Sequence, residues 1–212
     1  FAVNMDVPYG EDKVFDMLQI RPIVDSPSNR SLDWDQVDTS GALIYAESAL
    51  GLGAIEGVTD VVYIRPDRFD TAHTQQMADE VNRLNTELRD QKRSYVLVGP
   101  GRWGSSDPWL GVPVKWPHIS EAKVIVECGL DNFRVEPSQG THFFQNLTSF
   151  GVGYLTINPF QGDGRFDIAQ LDTQPALYES AYVRHVRFPE PLYIFVDGRK
   201  NRAIIRAEKS GA

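Results

Sequence analysis

One glycine-rich stretch of the chain carries the residue types of an anion-binding loop. It follows an apolar run at residues 95–98 and reads Gly99-Pro100-Gly101-Arg102-Trp103-Gly104-Ser105-Ser106. Glycines let backbone N–H groups approach a ligand closely, an arginine fork donates two hydrogen bonds to a phosphate or carboxylate, and serine hydroxyls add donors. We therefore predict a phosphate or carboxylate site formed by Gly99, Gly101, Arg102, Gly104, Ser105 and Ser106. The alternative is a purely structural turn, in which Trp103 fills the core.

The same loop contains the spacing Gly-x-Gly-x-x-Gly, which occurs where dinucleotide-binding folds hold a pyrophosphate. Glu127 follows Gly104 at about the 20-residue distance of the acidic ribose ligand in such folds. This interpretation requires a helix that begins at Gly104, whereas Pro108, Pro113 and Pro117 interrupt the segment that follows. A dinucleotide-binding domain therefore stays an alternative that depends on such a helix.

His142 is the candidate catalytic residue. It lies in the first turn of a short helix that we expect over residues 141–150, after a turn-rich segment. A helix N-terminus attracts anions and lowers the basicity of an imidazole, so His142 could donate a hydrogen bond, act as a general base or accept a phosphoryl group. The alternative is that Ser138 or Thr141 caps the helix while His142 packs beside neighbouring phenylalanines.

The other histidines and the cysteine indicate no metal site. His73 and His185 are expected at the surface, and no two histidines stand at a metal-ligand spacing such as i, i+4. Cys128 is the single cysteine, so the chain can form neither an intrachain disulfide nor a cysteine-based zinc site. This composition fits a reducing cytoplasm.

Charge and composition exclude several classes of partner. The 212 residues carry 21 basic and 29 acidic side chains, a net charge of −8 with histidine neutral. Such a balance opposes adhesion to nucleic acid and to anionic lipid. No apolar run approaches the roughly 18 residues that cross a bilayer. We therefore expect a globular cytoplasmic protein with neither a nucleic-acid nor a membrane partner.

Periodicity predicts a mixed sheet that positions these residues. Apolar runs predict strands at residues 42–46, 60–64, 95–98, 123–126 and 154–157. Apolar residues at three- and four-residue spacing over residues 70–90 predict an amphipathic helix, which would join strands 60–64 and 95–98 in a parallel crossover. The helix at residues 141–150 would join strands 123–126 and 154–157 in the same way. Strands near 182–188, 192–196 and 203–206 predict an antiparallel meander. The expected fold class is α/β or α+β. We expect Trp34, Trp109 and Trp116 to be packing residues.

The N-terminal region has a different composition from the rest. Residues 1–24 contain two strand-like runs across a turn and predict a hairpin, whereas residues 25–40 have the proline-, serine- and aspartate-rich composition of a linker. We place an accessory α/β domain at residues 41–212. The chain opens without an initiator methionine or a signal sequence, so we interpret it as part of a longer protein.

The hairpin resembles one edge of an ATP site. Its sequence Phe15-Asp16-Met17-Leu18-Gln19-Ile20-Arg21-Pro22 is similar to the closing strand of the ATP-grasp domain of phosphoenolpyruvate synthase and pyruvate phosphate dikinase, with the signature Leu/Val-Gln-x-Arg-Pro. The resemblance implies that Gln19 and Arg21 border the nucleotide phosphates in a parent protein that binds ATP and Mg. The acidic metal ligand of that family would precede Phe1.

The remainder resembles the C-terminal region of large bacterial proteins that are similar to phosphoenolpyruvate synthase. The loop at residues 99–106 and the stretch Gly140-Thr141-His142-Phe143-Phe144-Gln145 both look like hallmarks of these proteins. The phosphohistidine motif Gly-Gly-x-Thr-x-His is missing, and the chain is too short for a pyruvate-binding barrel of roughly 250 residues.

The resemblance implies a C-terminal fragment of an ATP-dependent phosphotransferase, a kinase-like enzyme of pyruvate phosphorylation. The fragment would be catalytically incomplete alone, and its partners would be the preceding domains of the parent polypeptide and a small anionic ligand. A noncatalytic docking or regulatory module is the alternative from another class. If strands 95–98 and 123–126 are parallel, Arg102 and His142 should lie at the same edge of the sheet.

Overall fold

Two packed sheets form the framework of the protein. A computed structural model describes residues 2–3, 15–16, 32–107, 109–131, 147 and 150–207. The strands are β1 (Ala2–Val3), β2 (Phe15–Asp16), β3 (Ile44–Ala46), β4 (Ser48–Leu50), β5 (Leu52–Ile55), β6 (Asp60–Ile64), β7 (Tyr95–Pro100), β8 (Arg102–Trp103), β9 (Gly111–Val112), β10 (Ala122–Cys128), β11 (Gly153–Ile157), β12 (Arg165–Phe166), β13 (Ala176–Glu179), β14 (Val183–Arg187), β15 (Leu192–Asp197) and β16 (Arg202–Ala207). The α-helices are α1 (Thr74–Asp90) and α2 (Ile168–Asp172), and 3₁₀ turns occur at Pro66–Arg68, Thr71–His73, Trp116–Ile119 and Pro159–Gln161.

The larger sheet has seven strands in the order β13-β14-β6-β7-β10-β11-β4. Its four central neighbours, β6, β7, β10 and β11, are parallel, and antiparallel strands flank them. The predicted crossover from β6 through α1 to β7 is therefore confirmed. The strands β10 and β11 are also parallel as predicted. Of the helix predicted between them, only Leu147, which is helical and buried, and Phe150, which is in a turn, are described.

The helix α1 forms because its apolar residues share one face. Met77, Val81, Leu84 and Leu88 are all buried against the larger sheet, as the periodicity predicts. The helix begins at Thr74 rather than at residue 70, because a 3₁₀ turn comes first, and the side chain of Asp70, the residue before it, caps that turn. Within the described ranges, neither α1 nor any other helix has the length and apolar character to cross a membrane.

The smaller sheet packs on the opposite face of the larger one. Its strands run antiparallel in the order β12-β3-β16-β15-β5. Val98 and Val126 of the larger sheet share one buried cluster with Ile194 and Ile205 of the smaller sheet. Trp34 covers the outer face of the smaller sheet and donates its indole N–H to Asp197 at 3.1 Å. Residues 32–40, the described part of the predicted linker, therefore include a packed side chain.

The strands near both ends of the chain pair in antiparallel fashion. The antiparallel pair β1–β2 lies within the predicted N-terminal hairpin. The C-terminal antiparallel meander is confirmed, but the structure divides it between the sheets: β14 pairs with β6, whereas β15 pairs with β16. The chain therefore changes sheets between Arg187 and Leu192.

Candidate functional site

The glycine-rich loop lies at the carboxyl edge of the parallel strands. Because β7 and β10 are parallel and pair Val98 with Val126, the loop after β7 and the segment after β10 leave from the same edge. Ligand sites in open α/β sheets form at this edge. His142 lies outside the described residues, as do Gln19 and Arg21, so the meeting of Arg102 and His142 stays a prediction.

The backbone of the loop is bonded to the protein itself. Four consecutive N–H groups donate to internal acceptors: Gly101 to the Cys128 carbonyl at 3.1 Å, Arg102 to the Leu110 carbonyl at 2.7 Å, Trp103 to the Glu127 carboxyl at 3.0 Å, and Gly104 to the Val112 carbonyl at 2.8 Å. An amide that donates internally is not available to a bound anion. The predicted cradle of backbone amides at Gly101, Arg102 and Gly104 is therefore not formed by this conformation.

The side chain of Trp103 explains part of the glycine content. Its ring folds back over Gly99, where an added Cβ would overlap the ring. Its indole N–H donates to the Val126 carbonyl at 3.1 Å. Trp103 is buried, as the structural-turn alternative predicts. Gly101 has a φ of 72°, a conformation in which glycine avoids the strain of a Cβ.

Few polar groups of the loop remain for a ligand. The Ser105 hydroxyl donates to the Asp107 carbonyl and accepts from the Asp107 N–H, so it closes a local turn. Ser106 is exposed, and Arg102 is half-buried. The loop therefore presents a guanidinium and one hydroxyl on a fixed backbone.

Glu127 is the polar residue at the centre of this edge. Its side chain is fully buried and accepts hydrogen bonds from the Trp103 N–H at 3.0 Å and the Tyr154 hydroxyl at 2.5 Å. Burial raises the pKa of Glu127 to about 7, although the two hydrogen bonds and the positive charge of Arg102 oppose the rise. A carboxyl that titrates near neutral pH can hold or release a proton in that range.

Thr156 lies beside Glu127 on the neighbouring parallel strand. The register pairs the two residues, so their side chains lie on the same face of the sheet as α1. The Thr156 hydroxyl oxygen is buried, and no hydrogen-bond partner for it occurs among the described residues. Glu127 and Thr156 thus place two polar groups in the mainly apolar layer between the sheet and α1.

The sequence suggests one role for Glu127, that of a possible ribose ligand in a dinucleotide-binding fold. That interpretation requires a helix that begins at Gly104, but Gly104 is in a turn, Ser106 and Asp107 form a bend, and no helix begins there. The signal that could have marked Glu127 is an ionisable residue inside an apolar strand run, Val124 to Cys128, which costs free energy unless it is hydrogen-bonded.

A second buried acid lies at the opposite edge of the sheet. Asp60 is fully buried, and its carboxylate oxygens contact His185 and Arg187 at 2.8 Å and Arg93 and Thr59 at 2.9 and 2.8 Å. Burial alone would raise the pKa of Asp60, but these hydrogen bonds hold it well below its usual range. The prediction that His185 is a surface residue is therefore wrong.

Two further expectations concern exposure. His73 is exposed and stacks on Tyr182, as expected for a surface residue. Trp34 is buried and Trp116 stacks on Phe150, but Trp109 is 74% exposed, so the packing role predicted for it is wrong.

In the described part of the chain, no group of three or more His, Cys, Asp and Glu side chains could hold a metal ion.

Comparison of the chain with protein-family models, with curated proteins and with solved structures gave no match.

Proposed function

We propose that this chain is a C-terminal part of an ATP-dependent phosphotransferase similar to phosphoenolpyruvate synthase, and that its α/β domain binds a small phosphate or carboxylate through Arg102. The observation that carries the proposal is a half-buried arginine on an internally bonded loop at the carboxyl edge of parallel strands. The stretches at residues 15–22, 99–106 and 140–145 support the family, and the position of Arg102 supports the ligand class.

The internal bonding of the loop narrows the proposed contacts. With the amides of Gly101 and Gly104 used inside the protein, recognition relies on the Arg102 guanidinium, with Ser106 as a further donor. A guanidinium pairs with two oxygens of one carboxylate or phosphate, so it selects planar or tetrahedral oxyanions. The ligand class is therefore a small oxyanion rather than a nucleotide held along a glycine-rich loop.

The test is titration of the chain with inorganic phosphate, followed by calorimetry or NMR. We expect saturable binding in the millimolar range, and Arg102→Gln should weaken it by about tenfold while the melting temperature stays the same. Arg89→Gln, at an exposed position near the end of α1, is the matched control and should bind as the unaltered chain does. No saturable binding up to about 10 mM, or equal binding by the Arg102 variant, would contradict the proposal.

The nucleotide site belongs to the parent protein in this proposal. Gln19 and Arg21 would supply one wall of a cleft whose other walls, with the ligands for ATP and Mg, lie in the preceding domains. The isolated chain should therefore neither bind MgATP appreciably nor hydrolyse it. A micromolar affinity for MgATP in calorimetry would overturn this part of the proposal. A reducing, cytoplasmic setting is also proposed, on the ground that the single cysteine is buried and free.

The docking alternative is favoured by one observation. Trp109 is 74% exposed and Leu110 is 39% exposed, beside the same loop, and large exposed apolar side chains are frequent at interaction sites. The partner in this alternative is the preceding part of the parent polypeptide. Hydrogen exchange decides between the two: docking predicts that amides of residues 105–112 exchange more slowly in the parent than in this chain, with no effect of phosphate on either.

A further inference from the structure

A cleft of about 710 Å³ lies at the carboxyl edge of the larger sheet, on the face opposite Glu127. Cys128, the next residue along β10, lines it, and successive strand residues point to opposite faces. The turn after β6, the segment after β10 and the turn after β11 form its walls, and α2 closes one side. The volume is within the range of small-molecule sites, and the position is the one at which open α/β sheets bind ligands.

The walls of the cleft are mainly aromatic and aliphatic. Phe69, Phe160 and Phe166 contribute rings, and Phe160 is 58% exposed. The aliphatic part of the lining comes from Pro66, Leu130, Pro159 and Ile168. Several aromatic rings around one concavity favour a ligand with a planar or apolar body.

The two loops that carry these walls are tied together. The side-chain amide of Gln161 donates to the carbonyl oxygens of Leu130 and Asp131, both at 3.3 Å. The segment after β10 is thereby joined to the turn after β11. These hydrogen bonds fix the relative position of two walls of the cleft, which lowers the cost of ordering them around a ligand.

Most charges of the lining are compensated. Asp172 accepts hydrogen bonds from Tyr63 and Arg184, both at 2.7 Å, and Arg65 contacts Glu179 at 3.0 Å. Asp67 contacts the guanidinium groups of Arg65 and Arg68. Because these charges are paired, they contribute little to the electrostatic potential inside the cleft.

Asp131 is the exception. No ion pair of its carboxylate occurs within the described ranges, and its side chain lies at the rim of an aromatic cavity. A negative charge with no ion-pair partner among the described residues, placed beside several rings, suits a positively charged group, because the ring faces also attract cations. It repels the oxyanion that we propose for Arg102.

We propose that this cleft binds a small organic cation with an aromatic body, an arylalkylammonium, with the ammonium group at Asp131 and the ring against Phe160 and Phe166. The site goes beyond the anion site at Arg102, because it uses the other face of the sheet and the opposite charge. Its ligand class follows from the lining and does not depend on the identity of the parent enzyme.

The experiment compares two probes that share a ring and differ in charge. Tryptamine carries an ammonium group, whereas indole-3-propionate carries a carboxylate. We expect NMR titration of the chain to give saturable tryptamine shifts at residues 128–131 and 159–168, with indole-3-propionate binding at least about fivefold more weakly.

Variants locate the two halves of the interaction. Asp131→Asn should weaken tryptamine binding about fivefold and should abolish the preference for tryptamine over indole-3-propionate. Phe160→Ala should weaken the binding of both probes. Both residues are exposed, so neither change should alter the melting temperature, and Asp90→Asn on α1 is the charge-matched control. Arg102→Gln should leave tryptamine binding unchanged, so failure of the anion site and failure of this site are separately visible.

Three results would overturn the proposal. They are the absence of saturable tryptamine binding up to about 10 mM, equal binding of the two indoles, and an unchanged affinity in the Asp131 variant.

Discussion

Replacement of Glu127 by glutamine should make the stability of the protein less dependent on pH. Glutamine keeps the shape of the side chain and an oxygen that accepts from the Trp103 N–H, but it carries no charge to bury. In the native protein burial raises the pKa of Glu127 from 4.5 to about 7, so between these values the folded state binds a proton that the unfolded state has lost. Stability must then fall as the pH rises through this window, because the unfolded state binds fewer protons.

The size of the effect follows from the same shift. At about 1.4 kcal/mol for each pH unit, the penalty of ionised Glu127 reaches about 3 kcal/mol above pH 7, of which about 2.5 kcal/mol develops between pH 5 and pH 8. Glu127→Gln should therefore gain about 2.5 kcal/mol in unfolding free energy relative to the unaltered chain over this interval.

Urea denaturation followed by tryptophan fluorescence, at several pH values between about 5 and 8, measures this difference. Other titrating groups are common to both proteins and cancel in the comparison. The exposed Glu87→Gln on α1 controls for the loss of one negative charge. A difference between Glu127→Gln and the unaltered chain that stays constant with pH would refute the reasoning, because it would mean that Glu127 is ionised throughout.

Three other predictions follow from the site and the sheet. Sulfate, which keeps its charge between about pH 5 and pH 8, should bind about threefold more tightly at pH 5 than at pH 8. The reason is that an anion on Arg102 cancels the positive charge that favours ionised Glu127. Calorimetry measures the affinity at each pH, and the pH dependence should disappear in Glu127→Gln. Asp60→Asn should lower the unfolding free energy by about 3 kcal/mol in urea denaturation, because it leaves the basic groups around it without their counter-charge, and a loss below about 1 kcal/mol would contradict the buried network. Gly99→Ala should cost about 1–3 kcal/mol and shift tryptophan fluorescence, because the new methyl group overlaps the ring of Trp103; an unchanged melting temperature would count against this packing.

The elements that the sequence predicts correctly are those with a local signal. The buried face of α1 is indicated by apolar residues that stand three and four positions apart. The strands β6 and β7 each contain an uninterrupted apolar run, at residues 61–64 and 95–98. The sequence leaves the relative direction of β7 and β10 open, and the structure pairs these strands in parallel. Local periodicity thus predicts where the loop emerges.

The bonding within the loop depends on contacts that no local pattern specifies. The Arg102 amide reaches the Leu110 carbonyl because the short strands β8 and β9 pair in parallel, and the Trp103 amide reaches Glu127 through the register of β7 and β10. The burial of His185 has the same origin, since its partner Asp60 lies on another strand, 125 positions away. A glycine-rich sequence has the same appearance whether its amides face a ligand or the protein.

The number of donors at Arg102 limits the affinity of the isolated chain. A charge-assisted hydrogen-bonded pair contributes about 1.5–3 kcal/mol, and an exposed serine hydroxyl adds about 1 kcal/mol, whereas millimolar binding corresponds to about 4 kcal/mol. The described part of the loop therefore accounts for millimolar binding of an oxyanion and no more, because its amides are already bonded to Leu110, Glu127 and their neighbours. Micromolar binding would require additional donors, and in the proposed enzyme the preceding domains of the parent polypeptide would supply them. If the parent protein binds the oxyanion much more tightly than the isolated chain does, the loop contributes to the phosphotransfer site. If the two affinities are equal, Arg102 binds a ligand independently of that site.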